Sequence, residues 1–384
     1  MKKIILIFNG YYTPSKNYGG PTTSVENIVS NCSDHFDFRI IAANHDIGEK
    51  TIFDGIQEGW NQVGNAKVLY IDENKYNYNT QKISAIIKKT QASIVCLAGI
   101  FRPEIKWCAI KVCRKMNIPV LISPRGEVCK STFAMKKYKK APYAKIVSII
   151  GLFRNVMFHA TSEEEKAGLI RYFKIPEGNI YLVPNIAKEY TQREKHIKIS
   201  GEIRIVLISR IQYKKNITYA IDIVNNLKCK TIFDIYGPME SSEYWRQCEI
   251  LIALSPSNVK INYCGALNPE EVGEKFSEYD CFLFPTYSEN YGHVIAEAML
   301  NACPVVLSKG TTPWDDLNET TGFVHYLSDK DAFIKNLEKI ALMNNKEYEL
   351  LLASNKEYIT KKIGNDDAIH GHIDMYSTII KRFL

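Results

Sequence analysis

Two glutamates eight positions apart, Glu289 and Glu297, are the pair of acids in this chain whose surroundings look chemical. The apolar run Cys281-Phe282-Leu283-Phe284 ends at Pro285, a polar loop carries Glu289, Asn290 and Tyr291, and Gly292 opens a segment containing Glu297. This spacing predicts a buried strand, a short loop and a helix over residues 292–301, before a further strand at 304–307. Gly292 lets the backbone approach a ligand closely, and the unpaired amides of a first helical turn form an anion site. A helix starting at Gly292 sets Glu297 roughly 7.5 Å along its axis, so the two carboxylates suit opposite ends of an elongated ligand better than one shared bond. The plainer reading makes Glu289 a favourable charge at a helix N-terminus and Glu297 a solvated helix residue. A second group is Arg210 and Lys215, five apart in a loop after the apolar run 203–208, with Lys214 adjacent. An arginine fork and a lysine point charge at that spacing can converge on one diphosphate. Tyr18-Gly19-Gly20-Pro21 follows the first apolar run, and Ser123-Pro124-Arg125-Gly126 ends another, with Glu127 beside Arg125 as a potential partner.

These residues need a frame. Short β-branched runs at 4–8, 38–42, 68–71, 94–97, 120–123 and 156–159 alternate with helix-length amphipathic segments. Near-continuous apolar strands separated by helices predict a parallel sheet covered on both faces. After a polar stretch at 188–201, read as a linker, the pattern restarts at 203–208, 231–236, 259–263, 281–284 and 304–307. The expected fold class is α/β, with two Rossmann-like, doubly wound domains facing each other across a cleft. The first spans residues 1–188 and the second 189–365. Ile369, Ile373, Tyr376, Ile380 and Phe383 form one helical stripe, which predicts that 366–384 crosses back to the first domain. Thr161 or Ser162 reads as an N-cap before the acidic turn Glu163-Glu164-Glu165, and Asp315-Asp316 as the start of a helix.

With 46% apolar and 24% charged residues in 384, the composition excludes a disordered chain. No apolar run approaches the roughly 20 residues of a membrane span, and Ile4-Ile5-Leu6-Ile7-Phe8 is too short for a signal peptide, so neither export nor an anchor helix is expected. Ten cysteines without a CxxC pair, and eight histidines without a metal-binding motif, predict reduced thiols, no structural metal and a cytoplasmic location. His370 and His372, two apart on a helix, would point to different faces. The first 190 residues hold 27 Lys+Arg against 16 Asp+Glu, an excess of positive charge suited to an anionic partner. It is densest between Lys130 and Lys145, where lysines interleave with Phe133, Met135 and Tyr138. That segment reads either as a solvated basic helix or as a peripheral contact with an anionic membrane on its inner face. No nucleic-acid module accompanies it, so nucleic acid is not an expected partner.

Glu289 and Glu297 with Tyr291-Gly292 between them, Glu297-Ala298-Met299, and then Pro304-Val305-Val306 closely resemble the donor-site signature of GT-B glycosyltransferases of family 4. Thr311-Thr312-Pro313-Trp314 resembles its polysaccharide-assembly branch, and Ser209-Arg210 through Lys215-Asn216 is a second match. The resemblance covers most of the chain and implies a retaining transfer from a nucleotide diphosphate sugar, with a UDP-sugar as the expected donor, to a hydroxyl of a glycan or lipid-linked acceptor. It implies that Glu289 bonds the sugar hydroxyls and Glu297 the ribose. Amides near Asn290, Tyr291 and Gly292 would meet the sugar and diphosphate, Arg210 and Lys215 would neutralise the departing diphosphate, and the Gly19-Gly20 loop would approach the phosphates. Related enzymes often present a histidine where this chain has Arg125, which would recognise an anionic group on the acceptor side. Domain closure would bring Gly19, Gly20 and Arg125 towards the donor. The nucleotide sugar is then a co-substrate, and neither a cofactor nor a metal is expected. A sugar-nucleotide epimerase on the same scaffold, and a non-catalytic module binding nucleotide sugars or polyanions, are the competing readings.

Overall fold

The computed structural model describes residues 2–15, 20–72, 78–135, 137–187, 196–268 and 271–383. The chain forms two compact units, Met1–Ile186 with Asn365–Leu384, and Ala187–Gly364.

The first unit is built on β1 (Lys3–Phe8), β2 (Phe36–Ala43), β3 (Trp60–Val63), β4 (Ala66–Ile71), β5 (Ile94–Ala98), β6 (Val120–Ser123), β7 (Met157–Ala160) and β8 (Ile180–Leu182). Their order across the sheet is β3-β4-β2-β1-β5-β6-β7-β8. Only β3 runs antiparallel to its neighbour. The alternation of a strand between two covered faces is visible in β1: Leu6 and Phe8 enter one core with Ile83, Ile87 and Ile110, while Ile5 and Ile7 enter another with Val25, Ile28 and Ile379. Strands β3 and β8 fall outside the sequence expectation, because each is a short edge of three or four residues, none of them buried.

The C-terminal helix Asn365–Phe383 packs on helix Gly20–Cys32 and contributes Met375, Tyr376, Ile379 and Ile380 to the core of the first unit. Its buried stripe is centred on Ala368, His372 and Met375, with Ile369, Ile373 and Phe383 at the flanks. Gly371 lets the helix come close to the segment that follows β8: a Cβ there would lie 3.0 Å from Val183 Cγ1. His370 is exposed, whereas His372 is buried.

The second unit contains β9 (Glu202–Ile208), β10 (Lys230–Tyr236), β11 (Val259–Tyr263), β12 (Cys281–Phe284), β13 (Val305–Ser308) and β14 (Phe323–His325). The sheet is parallel throughout, in the order β11-β10-β9-β12-β13-β14. This is the doubly wound 3-2-1-4-5-6 order, whose strand succession reverses between β9 and β12. Of the expected linker, residues 188–195 lie outside the described part. The residues after it are pinned to the second unit: His196 Nε2 lies 2.9 Å from Asp280 Oδ1, and buried Lys198 donates to the carbonyls of Ile199, Glu202 and Ala341. Asp315 and Asp316 form a turn and not the start of a helix. Asp315 accepts from the Gly310 amide, and Asp316 pairs with Lys362 and accepts from the Tyr358 hydroxyl at 2.9 Å, so both carboxylates serve tertiary contacts.

Two buried histidines seat the C-terminal helix. His159 Nε2 donates to Val183 O (2.9 Å) and its Nδ1 accepts from Ser123 Oγ (3.2 Å), the pattern of a neutral ring. His372 Nδ1 donates to Ala368 O (2.8 Å), its Nε2 has no hydrogen-bond partner, and its ring centroid is 5.1 Å from that of His159. Burial, together with the Arg125 charge, pushes His372 down to about 4. A histidine whose folded pKa is depressed binds its proton first in the unfolded chain, so its contribution is intact above the ordinary value near 6.5 and is lost as pH falls towards about 4. Melting temperatures measured from pH 7 to 4 should therefore fall more steeply for the wild type than for His372→Leu. Equal slopes would show that folding does not depress the His372 pKa.

Candidate active site

In an open parallel sheet, ligands sit beyond the carboxyl ends of the strands where the order reverses. In the second unit that place is the pair β9 and β12, and the two loops leaving those strands carry Arg210 and Lys215 on one side and Glu289 on the other. The loops are laced together. The Tyr287 amide donates to Lys214 O (3.0 Å), Thr286 Oγ1 to the same carbonyl (3.1 Å), and Asn216 Nδ2 to Pro285 O (2.9 Å). Asn216 turns the chain in the left-handed region (φ 55°), which asparagine tolerates, and ends the turn Tyr213–Lys215.

This lacing brings Lys215 Nζ onto Glu289 Oε1 and over the Phe284 ring, 5.3 Å from its centroid. Burial alone would raise the Glu289 carboxyl, but Lys215, then Lys214 and Arg210, outweigh it and hold the group below the usual glutamate value. Glu289 is thus an ionised acceptor in a mostly dry place. Arg210 Nη1 is held by Glu240 Oε1 at 2.6 Å. Glu240 comes from the loop after β10, a residue that sequence reasoning missed because an isolated surface glutamate gives no signal.

The loop from Glu289 to Gly292 is braced from behind by the segment after β13. The Glu289 amide donates to Thr311 O (2.6 Å), and buried Trp314 donates its indole N–H to Tyr291 O (2.7 Å). Ser308 Oγ donates to Thr286 O (2.6 Å). Thr311-Thr312-Pro313-Trp314 therefore has a structural task at the site. Gly292 takes φ 72° immediately before the helix His293–Leu300, and a Cβ there would lie 2.8 Å from Ile295 Cδ1. No side chain caps this helix, and no acid occupies its first turn. Burial pushes the Tyr291 hydroxyl up to about 12. Asn290 and Tyr291 are half-buried, and Glu297 is the fifth residue of the helix.

In the first unit, Gly20 starts helix Gly20–Cys32, while Gly19 lies outside the described residues. Arg125 follows β6 in the left-handed region (φ 55°) and reaches Asn185 Oδ1 at 3.3 Å. Glu127 turns to the loop after β5 and accepts from the amides of Ile100 and Phe101. The N-cap of helix Glu163–Phe173 is Ser162, and buried Glu165 accepts from Thr161 and the Gly126 amide, fixing the turn that carries Arg125. A pocket missed from sequence lies at the reversal point between β1 and β5, lined by Asn9, Gly10, Ala98, Arg102 and Lys106 among others. Burial lowers Lys106 to about 8, and its Nζ donates to Ala98 O at 2.8 Å. All ten cysteines are free thiols.

Residues 188–356 match the family model of glycosyl transferases group 1. By sequence, no curated protein matches the chain. Among solved structures, a sucrose-phosphate synthase from Thermosynechococcus elongatus aligns over 99% of this chain and 100% of its own, with a TM-score of 0.72 and 14% identity. Anabaena HepE, solved with UDP and glucose, aligns over 98% and 99% (TM-score 0.69, 11% identity). A lipopolysaccharide outer core galactosyltransferase, WaaB, aligns over 96% and 99% (TM-score 0.65, 14% identity). The chain has the two-unit GT-B glycosyltransferase fold. The match to the group 1 model falls within its second unit.

The Lys215–Glu289 contact has a measurable consequence. Lys215→Met removes the first of the cations that oppose burial, so the Glu289 carboxyl should titrate at a higher pH than in the wild type. Carbon-detected NMR of labelled glutamate reads this shift, and an unmoved Glu289 would show that Lys214 and Arg210 suffice.

Proposed function

We propose that this chain is a retaining glycosyltransferase of family 4 that moves a sugar from a nucleotide diphosphate, a UDP-sugar, to a hydroxyl of a lipid-linked glycan in surface polysaccharide synthesis. The carrying observation is the convergence of Arg210, Lys215 and ionised Glu289 at the strand-order reversal, beside the uncapped start of helix His293–Leu300. Two cations and a helix N-terminus fit a diphosphate. The bound UDP and glucose of Anabaena HepE and the lipopolysaccharide substrate class of WaaB support the choice of donor and pathway.

In this reading, Glu289 accepts hydrogen bonds from the sugar hydroxyls and Glu297 from the ribose. Amides around Asn290, Tyr291 and Gly292 meet the sugar and diphosphate. As the bond from the anomeric carbon to the β-phosphate oxygen breaks, negative charge grows on the diphosphate, and Arg210 and Lys215 stabilise it without reorganising. The acceptor oxygen bonds to the anomeric carbon on the face that the phosphate leaves, and the acceptor proton passes to a phosphate oxygen. No protein nucleophile and no metal are required. Gly19, Gly20 and Arg125 of the first unit serve the phosphates and the acceptor.

The segment between Lys130 and Lys145 supplies the lipid side. Among the described residues no helix is long and apolar enough to cross a membrane. Helix Lys137–Ile149 nevertheless exposes Tyr138 (73%) and Ile149 (74%) beside Lys137, Lys139 and Lys145, a mixture that suits the surface of an anionic bilayer. Lys140 is turned inward, donating to Thr132 O (2.8 Å) beneath the Phe101 ring, and is a structural lysine.

Screening nucleotide sugars by thermal shift should find a UDP-sugar that stabilises the chain. With that donor, Arg210→Ala and Lys215→Ala should each raise the barrier by about 3 kcal/mol, the scale of losing a preorganised charge contact. EDTA should leave the rate unchanged. Normal turnover in both variants would overturn the assignment, and change of the donor alone without an acceptor would indicate an epimerase. Separately, sedimentation with phosphatidylglycerol vesicles should capture the wild type and lose Ile149→Glu; equal capture would remove this helix from the membrane contact.

A further inference from the structure

We propose that Glu240 is a positioning residue for the transfer reaction, acting through Arg210. The loops after β9 and β10 are zipped by backbone contacts. The Ser209 amide donates to Tyr236 O (2.9 Å), the Ile211 amide to Pro238 O (2.9 Å), and the Ser241 amide to Ile211 O (3.1 Å). The zipper is close enough to require glycine at 237: φ there is 145°, and a Cβ would lie 1.7 Å from Ser209 O. Ser241 then caps helix Ser242–Ile252 by accepting from the Tyr244 amide (3.2 Å), and Tyr244 Oη accepts from the Thr218 amide (3.1 Å) in the helix that follows Lys215. Glu240 therefore stands on a frame fixed at both ends, directly across from Arg210.

An arginine on a surface loop explores many rotamers, and an isolated exposed ion pair does little for stability. Here both side chains are about one third exposed, and the Nη1–Oε1 distance is 2.6 Å. The contact uses one corner of a guanidinium that carries five N–H groups, leaving the others to face a diphosphate. Arg210 also stands near enough to Glu289 to help hold it ionised, so Glu240 fixes a cation that belongs to the Lys215–Glu289 group. Its contribution is orientation: Arg210 enters the reaction already placed, which matters most when charge develops on the leaving group.

The proposal rests on the glycosyltransferase reading, and the test separates the two. With the UDP-sugar found by thermal shift, Glu240→Ala should lower kcat about tenfold while the KM for that sugar stays within about threefold, because lost orientation acts on the transition state. Glu240→Gln keeps an oxygen for Nη1 and should recover most of kcat. In a double-mutant cycle, Glu240→Ala combined with Arg210→Ala should be no slower than Arg210→Ala alone. Melting temperatures of all variants control for folding. Additive losses, or an unchanged kcat in Glu240→Ala, would overturn the role of Glu240 and leave the transferase reading standing. A wild type that neither binds UDP nor turns over any UDP-sugar would overturn both.

Discussion

The reversal of strand order between β9 and β12 is the constraint from which the charge arrangement of the second unit follows. Wherever succession in a parallel sheet turns back, the two loops at the carboxyl ends diverge to opposite faces and leave a crevice. This chain fills the crevice with charge. Arg210 and Lys215 leave β9, Glu289 leaves β12, and the backbone of one loop is hydrogen-bonded to the other through Lys214 O and Pro285 O. The lacing keeps the backbone around Lys215 beside the carboxylate, and Glu240 holds Arg210.

That arrangement makes poor sense as a device for stability. Drawing Lys215 and Glu289 out of water costs several kcal/mol per ion, and their mutual attraction returns that only with good geometry and further hydrogen bonds. The low pKa of Glu289 indicates that the cations more than offset burial. A carboxylate held ionised by neighbouring cations in a low-dielectric crevice is suited to exchange those contacts for a polar ligand. Trp314 and Thr311, both bonded to the backbone of the Glu289–Gly292 loop, fix the loop that presents the carboxylate to the lysine.

The strands β6 and β12 were legible in the sequence because their apolar runs are buried throughout, and they, like β11, are bounded as expected. The short edges β3, β8 and β14 left no comparable run, since three or four residues with mostly partial burial carry no periodicity. Charged residues were harder to read for a different reason. Arg125 and Glu127 look like partners in sequence, but the left-handed turn at Arg125 sends one towards Asn185 and the other to the amides after β5. Asp315 and Asp316 look like a helix start, yet their carboxylates are used by Gly310, Tyr358 and Lys362 from elsewhere in the chain. In each case tertiary geometry decided between local alternatives of similar propensity.

The same logic separates the two units by the kind of polar group that each buries. In the second unit, Glu289 at the mouth of the sheet is held ionised by its neighbouring cations. In the first, burial drives His159 and His372 to their neutral forms and lowers Lys106, while Glu165 is raised by burial despite accepting from Gly126 and Thr161. Groups pushed towards neutrality are structural fittings: they seat the C-terminal helix and fix the turn bearing Arg125. Ionised Glu289 after β12 differs from these groups, and a carboxylate kept charged against desolvation is where a polar ligand has most to gain.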